Sequence, residues 1–118
     1  MTRRDDTVAL WHMLDHAVEA VAMAHGRTRA DLDRDRQFSL AVLKLVEIIG
    51  EAANRVSRTT QETQSQIPWS RIVATRNRLI HGYDTVDHVV LWDIVTLDLP
   101  PLISQLRSIL PDQSEPES

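Results

Sequence analysis

Arg76 and His81 are the residues of this chain best suited to chemistry. They share one short stretch, Arg76-Asn77-Arg78-Leu79-Ile80-His81-Gly82-Tyr83. A guanidinium makes charge-assisted, paired hydrogen bonds to phosphate oxygens and stays protonated at any working pH. An imidazole titrates near neutrality, so His81 can take a proton from a ribose 2′-hydroxyl or give one to a leaving oxygen. Asn77 can hold a non-bridging oxygen or orient the arginine, and Arg78 adds a second cation. Tyr83, the single tyrosine of the chain, presents a phenol just beyond. From Thr63 to Tyr83 there is no acid, while Arg71, Arg76, Arg78 and His81 all fall inside. The stretch is a local cationic patch, and it suits a phosphodiester better than a metal ion. The plain alternative is a histidine that compensates a helix dipole and arginines that are simply solvated.

The element that must position these groups reads as a helix ending at Gly82, because a residue without Cβ takes the left-handed closing conformation cheaply. Leu79 and Ile80 would anchor its last turn in a core. At about 100° per residue, Arg76 and His81 would lie roughly 140° apart around the axis. Arg76 would then need its full reach to join His81 over the helix end.

The rest of the chain supplies the scaffold. Met1 to Asp6 is polar and expected to fray, with Asp5 or Thr7 starting the first helix. Val8, Trp11, Leu14, Val18 and Val21 follow helical spacing and make an apolar stripe, and Gly26 closes that helix. His12 and His16, four residues apart opposite the stripe, can be read as a wet face or as part of a metal site with a carboxylate. No fuller ligand motif accompanies them, and no metal or cofactor is expected. Arg27 to Arg36 is dense in both signs of charge and reads as a solvated connector. Phe38 to Val56 is apolar around more than half its circumference, which makes it the central helix and a candidate contact with a second subunit. Gly50 inside it predicts close helix packing. Glu47 and Glu51 lie four apart on one face, and one of them is expected to hold Arg76 or Arg55.

Ser57 to Gln66 reads as a loop with one helical turn, and Pro68 and Trp69 open the motif helix, whose buried side would be Trp69, Ile72, Val73, Leu79 and Ile80. After a connector at 84–87, Asp87 caps a helix that Pro100 and Pro101 interrupt, and Asp98 caps a fresh one. Trp11, Trp69 and Trp92 fall at apolar helix positions and are expected to pack. No period-two alternation is present, so the expected fold is all-α, an antiparallel bundle of four main helices. Residues 1–111 form one domain, and 112–118 a disordered acidic tail.

Composition narrows the function classes. With 118 residues and 42% hydrophobic content the chain fits one globular domain. A net charge of −4 excludes a globally basic nucleic-acid binder and confines any RNA contact to the arginine-bearing stretch. Without cysteine there is no disulfide framework or thiolate metal site. No apolar run approaches the ~20 residues that span a bilayer, and no signal-peptide core is present, so the expected compartment is the cytoplasm.

The stretch Arg76-Asn-Arg-Leu-Ile-His81-Gly-Tyr83 resembles the Arg-x4-His-x-Tyr signature of HEPN-domain ribonuclease toxins, specifically the HepT-like proteins. Ile48-Ile49-Gly50-Glu51-Ala52-Ala53-Asn54-Arg55, Ile67-Pro68-Trp69 and Asp98-Leu99-Pro100-Pro101-Leu102 resemble further family landmarks in the family's order, over roughly Ala9 to Leu110. The resemblance implies a metal-independent endoribonuclease that works as a homodimer. Two copies of the motif would form one cleft, with Arg76 and His81 catalytic and Asn77, Arg78 and Glu51 in support. It also implies a toxin–antitoxin pair of the type VII kind, in which a nucleotidyltransferase antitoxin transfers AMP to Tyr83 and silences the toxin. The rival from another class is a catalytically silent helical module that docks such a nucleotidyltransferase.

Overall fold

The computed structural model describes residues 4–81 and 85–111. Gly82, Tyr83, Asp84 and the 112–118 tail lie outside the described residues. The order is α1 (Arg4–Ala24), α2 (Arg29–Arg34), α3 (Arg36–Arg55), α4 (Arg58–Thr63), α5 (Trp69–Val73), α6 (Thr75–Leu79), β1 (Ile80–His81), β2 (Thr85–Val86) and α7 (His88–Ile109). The fold is all-α. Helices α1, α3 and α7 build the bundle, and the α5–α6 segment lies along α3.

The α1–α3 contact is the most extensive in the molecule, and small residues explain it. Ala9, Ala17, Ala20 and Ala24 line the buried face of α1 beside Leu10, Met13 and Leu14. Alanine lets two helix backbones approach closely, and the larger side chains fill what remains. The stripe expected from the large residues is therefore shifted. Leu14 is buried, Trp11, Val18 and Val21 sit at the margin of the core, and Val8 is half exposed. Gly26 closes α1 with φ of +77°.

The expected fraying before the first helix does not extend to Asp6. This carboxylate is buried and accepts hydrogen bonds from the Ser57 amide (2.8 Å), the Ser57 hydroxyl (2.6 Å) and the Thr60 hydroxyl (2.7 Å). It thereby ties the start of α1 to the start of α4. The charged connector is helix α2, pinned by buried Leu32, with the Arg27 guanidinium 4.0 Å above the Phe38 ring and 2.9 Å from Asp35.

The C-terminal element departs most from the expected helix boundaries. The Asp87 carboxylate caps it by accepting from the Val90 amide at 3.0 Å. Pro100 and Pro101 do not divide it. A π-helical turn spans Ile94–Asp98, and an α-helix continues over Leu99–Ile109. A proline ring collides with the carbonyl four residues earlier, and a widened turn carries those carbonyls outward. The resulting 22-residue helix, with mean hydropathy 1.4 in its most apolar window, is long and apolar enough to cross a bilayer by length and composition alone. Sequence reading missed this because it divided the run at the prolines. Leu91, Ile94, Val95, Leu99, Leu102 and Leu106 are buried within the bundle.

Candidate active site

The motif helix is two helices. α5 ends at Val73, Ala74 turns the backbone (φ −80°, ψ 3°), and α6 covers Thr75–Leu79 only. Helix α6 stops three residues before Gly82, with Ile80 already extended. Ile80 and His81 form β1 and pair with Val86 and Thr85 of β2 in an antiparallel ladder that the absence of alternation did not predict. The Asp87 amide extends the pairing by donating to the Leu79 carbonyl at 2.9 Å. Tertiary pairing of β-branched Ile80 and Val86 thus prevails over the glycine stop signal. His81 is a strand residue just beyond the helix, and the 140° helical offset from Arg76 does not apply. Tyr83 lies outside the described residues.

The segment is held against α3 at one tight point. A Cβ added to Gly50 would lie 3.2 Å from the Ile72 carbonyl oxygen, which is the close packing that a glycine inside the central helix implied. Leu79 and Trp69 are buried, and the Trp69 indole N–H donates to the Gln64 carbonyl at 3.0 Å. Ile72 and Ile80 are half-buried and Val73 is exposed, so the buried side is narrower than expected.

The patch without acids in sequence has acids in space. Asp98, expected as a helix cap, makes no side-chain cap hydrogen bond. Its Oδ2 instead lies 3.3 Å from Arg78 Nη1 and 3.4 Å from Arg71 Nε. Glu47 Oε2 lies 3.7 Å from Arg76 Nη1. Of the two glutamates considered as holders of an arginine, Glu47 takes Arg76, while Glu51 lines the same depression beside it. The Arg76 side chain is 69% exposed against 27% for Arg78, so Arg76 is the motif arginine most open to a ligand. Asn77 is exposed and makes no side-chain hydrogen bond among the described residues.

Arg76 also borders a wide recess of about 760 Å³ that includes Arg36 and His88. Neither was picked out from the sequence, because only the folding of α2 and α7 around α3 brings them near. The His88 imidazole is 2.6 Å from Asp33. Away from the motif, the His16 ring nitrogen lies 2.7 Å from the His12 carbonyl, and the two rings meet edge-on at 6.0 Å. Among the described residues no group of three or more metal-ligating side chains converges.

The profile of HepT-like ribonucleases matches residues 13–109, which include the whole Arg76–His81 stretch, α3 and the helix carrying Asp98. The chain belongs to the HepT-like ribonuclease family. A protein of Thermococcus cleftensis designated a candidate ribonuclease HepT is 34% identical over 100 residues, covering 81% of this chain and 91% of that one. A candidate RNase of Caldanaerobacter subterraneus is 30% identical over 86% of this chain and 90% of its own length. A candidate RNase of Methanocaldococcus jannaschii is 28% identical over 92% of this chain and all of its own length. No solved structure matches the chain significantly. For a HepT-like ribonuclease the geometry has a plain chemical content. It offers the exposed Arg76 guanidinium, a histidine backbone position two residues past the helix that carries it, and the Asp98 carboxylate that holds the neighbouring Arg71 and Arg78.

Proposed function

We propose that this HepT-like ribonuclease cuts RNA internally and without a metal, using Arg76 and His81 from two copies of the chain that face each other across one cleft. The observation that carries the reading is the exposed Arg76 guanidinium five residues before His81, in the first turn of a short helix packed against α3. Cleavage needs a base, an acid and positive charge for the developing phosphorane. One copy of the stretch supplies too few groups, and a twofold pair supplies two imidazoles and two guanidiniums. The 2′-oxygen attacks phosphorus while one His81 takes its proton. The bond from phosphorus to the 5′-oxygen breaks, and that oxygen receives a proton from the His81 of the second copy. The products are a 2′,3′-cyclic phosphate and a 5′-hydroxyl. Arg76 neutralises the phosphorane, and Asn77 orients the substrate or the arginine.

The regulatory half of the proposal concerns Tyr83. In a toxin–antitoxin pair, a nucleotidyltransferase antitoxin would transfer AMP from ATP to the Tyr83 hydroxyl and release pyrophosphate. The added bulk and negative charge beside the cleft would exclude RNA phosphate. Tyr83→Phe then keeps cleavage and escapes silencing, and mass spectrometry after coexpression with a candidate nucleotidyltransferase antitoxin checks it.

The deciding assay is cleavage of RNA in EDTA by wild type, Arg76→Ala and His81→Ala, with end-group analysis and the oligomeric state recorded together. Loss of about 10²-fold or more in either variant with the dimer intact supports the mechanism. Full activity in either removes it. One observation favours a second reading, a silent module that docks a nucleotidyltransferase: Asp98 occupies Arg71 and Arg78, which leaves a single motif arginine open. Absence of cleavage by the wild type would select that reading.

A further inference from the structure

A second cavity lies beside the Arg76 depression, between α3, the α5–α6 segment and the π-helical turn of α7. Its volume is about 140 Å³, and Val46, Ile49, Ile72, Ile94 and Leu102 form apolar walls. An apolar cavity of roughly 150 Å³ holds a benzene ring, so one six-membered aromatic ring fits this one. Arg71, Arg78, Asp98 and Gln105 add polar groups to the lining. Val46 and Thr75 line both this cavity and the depression that holds Arg76, so the two are neighbours along one groove.

The π-helical turn matters here because it ends at Asp98, which lines the cavity. Such turns recur at functional sites. Both arginine contacts to Asp98 end on Oδ2, which leaves Oδ1 without a hydrogen bond among the described residues. An acceptor therefore stands beside a guanidinium donor in the lining of a ring-sized, largely apolar cavity. Among single-ring bases cytosine carries the matching edge, an exocyclic amino group next to a ring nitrogen. Uracil sets a carbonyl oxygen where cytosine has its amine, and a carboxylate repels it.

We infer that this cavity is a nucleobase subsite that takes the cytosine flanking the cut linkage of single-stranded RNA, with Asp98 accepting from its amino group. The inference rests on the ribonuclease reading and deepens it. Unpaired bases splayed into apolar slots are the common mode of RNA readout, with the base edge supplying specificity.

The test uses uridine dodecamers carrying one cytidine, against an all-uridine control, with the full-length protein. Wild type is expected to cut beside the inserted base about tenfold faster than the control, the scale of one good base contact. Asp98→Asn, which replaces the carboxylate by an amide, should bring that ratio close to one. Ile72→Trp, which fills the cavity, should do the same in a variant whose circular dichroism is unchanged. A wild-type ratio of one, or a ratio that survives both substitutions, overturns the subsite while leaving the nuclease standing. Dissociation of the dimer by Ile72→Trp with the ratio intact would assign the cavity to a second copy of the chain instead. Wild type that cuts none of the oligonucleotides overturns the ribonuclease reading and the subsite together.

Discussion

Arg76 Nη1 stands 3.7 Å from Glu47 Oε2, close enough for Coulombic attraction and too far for a good hydrogen bond. An arginine held in this way is aimed without being consumed. Exposed pairs contribute about 0–1 kcal/mol, because solvent screens them and two long side chains lose freedom. Glu47→Gln is therefore expected to melt close to wild type. It should lower KM for RNA, since a carboxylate competing with phosphate is gone, and lower kcat by up to about tenfold as the guanidinium loses its aim. Steady-state kinetics with a thermal melt on the same sample checks it, and equal falls in stability and kcat would contradict it.

The contact between Gly50 and the Ile72 carbonyl yields a second prediction. Alanine in a helix is favoured over glycine by about 1 kcal/mol, yet its Cβ would sit 3.2 Å from a backbone oxygen that cannot rotate away. Gly50→Ala is expected to be neutral to slightly destabilising, and Gly50→Val to cost about 2–3 kcal/mol through overpacking. Because Ile72 lies just upstream of Arg76, activity should fall more steeply than stability across the series. Denaturant melts paired with cleavage rates measure both.

These two contacts also mark what the sequence could convey. Arg76, His81 and the glycine in α3 were legible because type and spacing expose them locally. The all-α class and most of the core positions of α3 were legible from periodicity, whereas the helix count was not. Asp98 was not, since its partners Arg71 and Arg78 lie 20 or more positions away and only the π-helical turn brings it round. Nor was the short ladder at Ile80–His81, where tertiary pairing prevails over a strong helix-stop signal downstream. The buried face of α1 was misplaced for a related reason. Hydrophobic size pointed to Val8, Trp11 and Val18, whereas close approach to α3 selects alanines.

Acid should loosen the α2 corner. Hydrogen bonding from the Thr28 amide holds the Asp31 carboxyl below its ordinary value of 3.8, with Arg27 adding attraction. The Phe38 amide and then Arg27 do the same for Asp35. A lowered folded value means that the stabilisation is fully present above the unfolded value near 3.8 and disappears as pH falls through the folded values beneath it. Stability should thus be flat with respect to these two groups above about pH 5 and decline below about pH 4. Asp35→Asn should flatten that decline and at neutral pH weaken the cap of α3. A pH series of melts on both chains reads the difference.

Asp6 carries the last prediction, because it is the one buried carboxylate in the described core and three donors converge on it. Hydrogen bonds to a charged group contribute about 1.5–3 kcal/mol each, and they are not additive when the donors share one carboxylate. Asp6→Asn keeps the shape but puts an NH2 against hydroxyl and amide donors, so a loss of about 2–3 kcal/mol is expected. Thr60→Val removes one donor and should cost less, since two remain. The double variant should fall short of the sum by about 1 kcal/mol, the signature of a shared network. Additive losses would mean that the three contacts act independently. Cleavage at a temperature where all variants are folded should remain near wild type, because this network joins α1 to α4 at a corner remote in sequence from Arg76.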